Sequence, residues 1–173
     1  MKNTLYLLLL ICGTTFGQSK SISFGPYVES LYNNGHISRT ANIGVGGGIT
    51  AELKLLSGFS LTGSAGYARF SGEDTRLLSF DVENPKFEAY SAPYQYIPVR
   101  IGFRYKFPIP FLYVKAEGGA VTAIGHWSGQ GTRAIFAPGI GVRIGALDIE
   151  AKYENWFTNG SYNLAGLKAG YLF

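Results

Sequence analysis

The sequence has little cysteine, little charge and no long hydrophobic run, and each shortage excludes a class of protein. Its one cysteine, Cys12, lies in the first few residues. The rest of the chain therefore has neither a disulfide framework nor thiol chemistry. Charged residues make up 15% of the 173, against a usual share of about 25%. A formal net charge of +4 is too mild to argue for a nucleic-acid partner. Beyond residue 18 there is no stretch long and apolar enough for a membrane-spanning helix, which takes about 20 residues. A membrane barrel stays open, because each of its strands needs only about 10 alternating residues. The two histidines, His36 and His126, stand too far apart in sequence to suggest a metal site. "GVGGG" at 44–48 lacks the lysine and helix that follow a phosphate loop. No cofactor is expected.

What is present begins with "MKNTLYLLLLICGTTFGQ". A basic start at Lys2, an apolar run from Leu5 to Ile11 and small residues after it predict a secretory signal peptide over 1–17, cut after Gly17. The apolar run is too short for an anchor, and Ile11 before Cys12 does not fit a lipoprotein cut. Residues 18–173 are enough for one domain. The 24 Gly, 12 Tyr and 12 Phe, with charge scarce, fit all-β structure.

Eight segments alternate apolar and polar residues, at about Ser21–Tyr32, Ile43–Lys54, Phe59–Arg69, Tyr94–Phe107, Phe111–Ile124, Ile135–Ile144, Asp148–Phe157 and Tyr162–Phe173. Alternation marks strands with two unlike faces. The connections run long and then short, as in a barrel with loops on one side of a membrane and tight turns on the other.

Within the segments the charges fall on one parity, with a single exception. Ile43, Val45, Ile49, Ala51 and Leu53 oppose Glu52 and Lys54. Ile97, Val99, Ile101, Phe103, Tyr105 and Phe107 oppose Arg100, Arg104 and Lys106. Leu112, Val114 and Ala116 oppose Lys115 and Glu117, and Ile149, Ala151 and Tyr153 oppose Asp148, Glu150, Lys152 and Glu154. Glu29, Arg143 and Lys168 obey the same rule, and only Arg69 breaks it. A soluble sheet would turn the charges to water; a membrane barrel would enclose them. Glycine and small residues crowd the charged face, as a narrow lumen requires. Aromatics gather near the segment ends, where two interfacial girdles would lie: Tyr32, Phe59, Tyr67, Phe107, Phe111, Phe136, Trp156, Phe157, Tyr171 and Phe173. The predicted fold is all-β, an eight-stranded antiparallel up-and-down transmembrane β-barrel with both ends on one side.

The terminal "LKAGYLF", with Leu167, Ala169, Tyr171 and Phe173 in alternation, resembles the assembly signal of bacterial outer-membrane barrels. "YQYIPVRIGFRYKF" is similar to the fourth-strand signature of small porin-like outer-membrane barrel families of the OmpA and OmpX type. The resemblance implies residence in the outer membrane of a Gram-negative-type cell, contact with its lipids and recognition by the barrel-insertion machinery.

The inward parity predicts an interior charge network of Glu29, Glu52, Arg100, Arg104, Lys115, Glu117, Arg143, Glu150, Lys152, Glu154 and Lys168, joined by Lys54, Lys106 and Asp148 nearer the rims, where solvation would suffice. Near-balance of sign predicts mutual pairing in a plugged lumen, since an unpaired buried charge is very costly. The expected role is structural or interaction-based, carried by the loops. Within 71–93, "SGEDTRLLSFDVENPKFEAYSAP" predicts a hairpin that protrudes beyond the membrane and pairs with a protein partner.

Two other functions fit parts of the sequence. "GHWSG" places His126 two residues before Ser128, similar to the His-x-Ser of outer-membrane lipid A deacylases. Gly129 stands where that family has Asn, and no acid follows in Ile135–Val142 to orient the base. The pair is a weak catalytic candidate, and the chain is read as a non-enzyme. A soluble lipocalin-like carrier of small ligands is the third reading.

Overall fold

A computed structural model describes residues 21–33, 43–71, 74–77, 87–90, 94–124, 131–157 and 162–173. The described residues form ten strands: β1 Ile22–Asn33, β2 Ile43–Leu56, β3 Phe59–Phe70, β4 Asp74–Leu77, β5 Phe87–Tyr90, β6 Tyr94–Lys106, β7 Leu112–Ile124, β8 Gly131–Ile144, β9 Leu147–Phe157 and β10 Tyr162–Tyr171. Eight of them close into an antiparallel barrel in the order β1-β10-β9-β8-β7-β6-β3-β2, and β4 pairs with β5 in a separate two-stranded sheet. Closure joins first strand to last, Glu29 opposite Lys168 and Tyr32 opposite Ala165. Every wall strand is thereby paired on both edges, which a bilayer demands of a spanning backbone. The eight expected segments are all wall strands. β8 starts at Gly131, four residues before the sequence pattern places it, because Thr122 and Thr132 pair across the ladder and their hydroxyls lie 3.0 Å apart.

The start of β1, the end of β10 and the tight connections share one end. Gly58 at φ +83° and Gly145 at φ +63° supply the left-handed positions of two of these turns. In the third, Phe111 holds φ +71°, a strained conformation for a bulky residue. Its carbonyl accepts from the Arg143 N–H at 2.8 Å. The pairing also carries two interruptions. The β3–β6 ladder lapses between Ala65↔Val99 and Ala68↔Tyr96, beside Pro98, and β8–β9 lapses between Phe136↔Asn155 and Gly139↔Lys152, beside Pro138. A proline has no N–H to give. Each proline keeps its place in the ladder on the other edge, with Val121 and Ala116.

The burial is inverted relative to a soluble protein. Ile49 is 69% exposed, Val28 65% and Phe103 62%, all on the outer wall, whereas Glu154 is fully buried and Glu117 is 1% exposed. A soluble carrier would place this oily surface in water, at a cost proportional to its area; in lipid it costs nothing. Exposed aromatics form the two belts. Phe24, Phe59, Tyr171 and Phe173 ring the short-turn end, with Tyr171 and Phe173 centroids 5.1 Å apart, and Tyr32, Tyr67, Phe136 and Phe157 mark the other. Arg69 is exposed near the end of β3, where the wall leaves the hydrocarbon.

Trp156 is a correction to the expected girdle. It points into the lumen and is 3% exposed. Its parity is that of Glu154 and Lys152, and side chains on a strand repeat every second residue, so strand phase overrides nearness to the strand end.

Candidate functional site

The lumen has two chemically different levels. Toward the long-loop end lies an apolar layer of Leu31, Ala68, Phe70, Tyr96, Val121, Ile135, Trp156 and Leu164. Three of its rings meet edge-on: Tyr96 and Trp156 centroids are 4.8 Å apart, Phe70 and Tyr96 5.8 Å, and Phe70 and Trp156 6.0 Å. Below this layer the lumen is ionic.

Directly beneath, Arg100 and Lys152 are set against Glu29 and Glu154. The Arg100 Nη2 donates to Glu154 at 2.9 Å and reaches Glu29 at 3.3 Å, and the Lys152 Nζ contacts Glu29 at 2.6 Å and Glu154 at 2.8 Å. The Trp156 indole N–H donates to Glu154 at 2.6 Å, tying the apolar layer to the charges. In a second group the Lys115 ammonium lies between Glu150 at 2.5 Å and Glu117 at 3.2 Å, and the Thr62 hydroxyl donates to Glu117 at 3.1 Å. The third group sits nearest the short turns. Arg104 donates to Glu52 at 2.8 Å and to Asp148 at 2.5 Å, while Arg143 donates to the same Glu52 oxygen at 2.5 Å. Tyr113 donates its hydroxyl proton to Asp148, and the Arg104 guanidinium lies 3.9 Å from the centre of the Tyr113 ring.

These pairs cross the cylinder. Glu29 on β1 meets Arg100 on β6, and Glu52 on β2 meets Arg143 on β8. All eleven residues of the expected network are inward, and Asp148 joins them. Asp148 is 5% exposed and hydrogen-bonded, not solvated at a rim. Lys54 and Lys106 are exposed. The lumen proper therefore holds Arg100, Arg104, Lys115, Arg143, Lys152 and Lys168 against Glu29, Glu52, Glu117, Asp148, Glu150 and Glu154, equal in number. Lys168 is the exception in bonding. Its ammonium has no hydrogen-bond partner among the described residues and rests 4.0 Å from the centre of the Tyr27 ring, a cation–π contact.

Small residues make this packing possible. A Cβ at Gly141 would collide with the Tyr113 ring, and one at Gly66 with the Tyr27 hydroxyl. The inward Tyr27 and Tyr113 were not foreseen as lumen residues. Their parity with Glu29 and Lys115 is the signal that would have found them.

Little space is left among the charges. A crevice beside Lys115, Glu150 and Lys168 has about 10 Å³, room for about one water. At the short-turn end the lumen opens into a vestibule of about 380 Å³. Leu167, Ala169, Tyr171 and Phe173 face outward on or just beyond β10, and the Phe173 N–H donates to the Phe24 carbonyl at 2.9 Å. His36, His126 and Ser128 lie outside the described residues.

No family model and no curated protein matches the sequence. Solved structures do. Ail of Yersinia pestis, the attachment invasion locus protein, solved in complex with the heparin analogue sucrose octasulfate, has 16% identity and a TM-score of 0.51 over 88% of this chain and 97% of its own. The N-terminal barrel domain of Pseudomonas aeruginosa OprF has 13% identity and a TM-score of 0.55, covering 90% of this chain and 100% of its own. Neisserial surface protein A has 11% identity and a TM-score of 0.52, covering 89% and 98%. At such identities the likeness is one of fold. With an oily belt outside and charges enclosed, the chain has the fold of the small eight-stranded outer-membrane β-barrels, built to sit in a bilayer.

Proposed function

We propose that this protein is a non-enzymatic outer-membrane barrel whose lumen is a structural plug and whose loop end makes the contacts that matter to the cell. The observation that carries the plug is the equal number of buried cations and anions, all but Lys168 ion-paired, beneath a layer of packed rings. A continuous aqueous path would have to break both. Monomers reconstituted in planar lipid bilayers are expected to show no steady conductance; a stable open state would overturn the plug.

The loop role draws on β4 and β5. They follow β3 and precede β6, whose last mutual pair is Phe70↔Tyr94, and among the described residues they pair only with each other. Arg76 stands opposite Glu88 in that ladder. An open strand edge of this kind is a template for pairing with another protein. A surface-contact role is of the same general kind as that named for Ail, though fold alone does not give function. Deleting residues 74–88 is expected to leave the barrel folded and abolish capture of its partner; unchanged surface adhesion would remove the idea.

Export through the leader at 1–17 and recognition of Leu167, Ala169, Tyr171 and Phe173 by the insertion machinery complete the reading. Their outward placement on the last strand, which must close against β1, suits a signal read before closure.

A further inference from the structure

The vestibule at the short-turn end is cationic in a way the rest of the lumen is not. Lys54, Arg104, Lys106 and Arg143 line it, and Glu52 is its one carboxylate. Asp148, the other acid at that level, is bonded to Arg104 and Tyr113. Both carboxylates are thus already engaged by guanidinium groups. Lys54 and Lys106 are exposed and make no ion pair among the described residues. Four cations face two occupied anions, while the level above is balanced.

We infer that this vestibule is a binding site for a phosphate ester. Guanidinium forks and ammonium groups converging on one recess are the usual means of holding a phosphate. Its volume of about 380 Å³ falls within the range of small-molecule sites, about 300–1,000 Å³. Arg104 and Tyr113 line the vestibule, and the crevice that Arg104 shares with Asp148 has only about 10 Å³, so a ligand would bind in the vestibule without passing through. The rim is oily: Leu56, 78% exposed, and Phe111, 49% exposed, border the cations. Phe111 keeps its strained backbone at this border, where its carbonyl anchors the Arg143 backbone. The closed inner end is the plug proposed above, so the site rests on that reading and not on the hairpin; bilayer conductance tests the plug separately from binding.

The same chemistry could be met by a phospholipid headgroup from the adjoining leaflet or by a soluble phosphate ester. Two arms separate them. In neutral-detergent micelles at low salt, glycerol 1-phosphate is titrated calorimetrically into the full barrel and into Lys54→Gln/Lys106→Gln. Both substituted residues are exposed and unpaired, so the variant is expected to keep its fold and its heat-modifiable gel shift. In nanodiscs of mixed phosphatidylglycerol and phosphatidylcholine, native mass spectrometry counts the lipid retained on each protein. Saturable binding of glycerol 1-phosphate, weakened about tenfold in the double variant and weakened by added salt, supports a soluble ligand. Retention of phosphatidylglycerol that the double variant loses, without glycerol 1-phosphate binding, supports a headgroup. Absence of both, or binding that the double variant leaves unchanged, overturns the site.

Discussion

The two levels of one lumen solve the same problem in opposite ways. Near the long loops, space is filled by Phe70, Tyr96 and Trp156 with aliphatic neighbours, which need no partners. Below, it is filled by twelve ionisable groups that are tolerable only together. An apolar layer can lose one member and relax. A buried ionic group cannot, because each survivor is a charge removed from water. Trp156 belongs to both levels, its ring in the first and its N–H on Glu154.

The largest effect is expected where that contrast is sharpest. Arg100→Met leaves Glu29 and Glu154 with Lys152 as their one cation, and should cost about 3–5 kcal/mol. Urea titration of the gel-shifted barrel in lipid measures it; a loss below about 1 kcal/mol would mean that water reaches this level. Phe70→Ala opens a cavity in the apolar layer and should cost about 3 kcal/mol, read by the same titration. A cost larger than that of Arg100→Met would reverse the ranking of the levels. Ile49→Arg tests the outside wall and should cost about 2–4 kcal/mol near the bilayer centre; no effect would mean that this face is not in hydrocarbon. Lys168→Met removes the cation that lacks a hydrogen-bond acceptor, so its cost should be less than half that of Arg100→Met, about 1–2 kcal/mol. The smallest equilibrium effect belongs to Phe173→Ala, about 0.5 kcal/mol for an exposed side chain. Its cellular effect should be large, with the yield of gel-shifted barrel in the outer membrane falling while refolding in detergent is unchanged. Equal yields would remove the assembly role.

The wall was legible because its rule is local. Opposed faces along Ile43–Leu53, Ile97–Phe107 and Ile149–Phe157 give strand, phase and the sidedness of every charge. The same parity, carried on from Glu29, Ala68 and Glu154, is the signal that would have turned Leu31, Phe70 and Trp156 inward. The aromatic-girdle expectation misread Trp156 by weighing its nearness to a strand end over its phase. Near the long loops both faces are apolar, so alternation fades there, and the inner layer was not visible as a layer. At the other end Asp148 looked like a rim charge because sequence gives no depth.

The chain's own order of residues thus determined a two-faced strand repeated eight times, since a period of two is written residue by residue. Which charges meet was decided by the closed barrel alone. Glu29 and Lys152 are 123 residues apart, and their contact depends on the stagger of strands around the cylinder. That stagger sets the height at which each side chain enters the lumen, and no stretch of sequence records it.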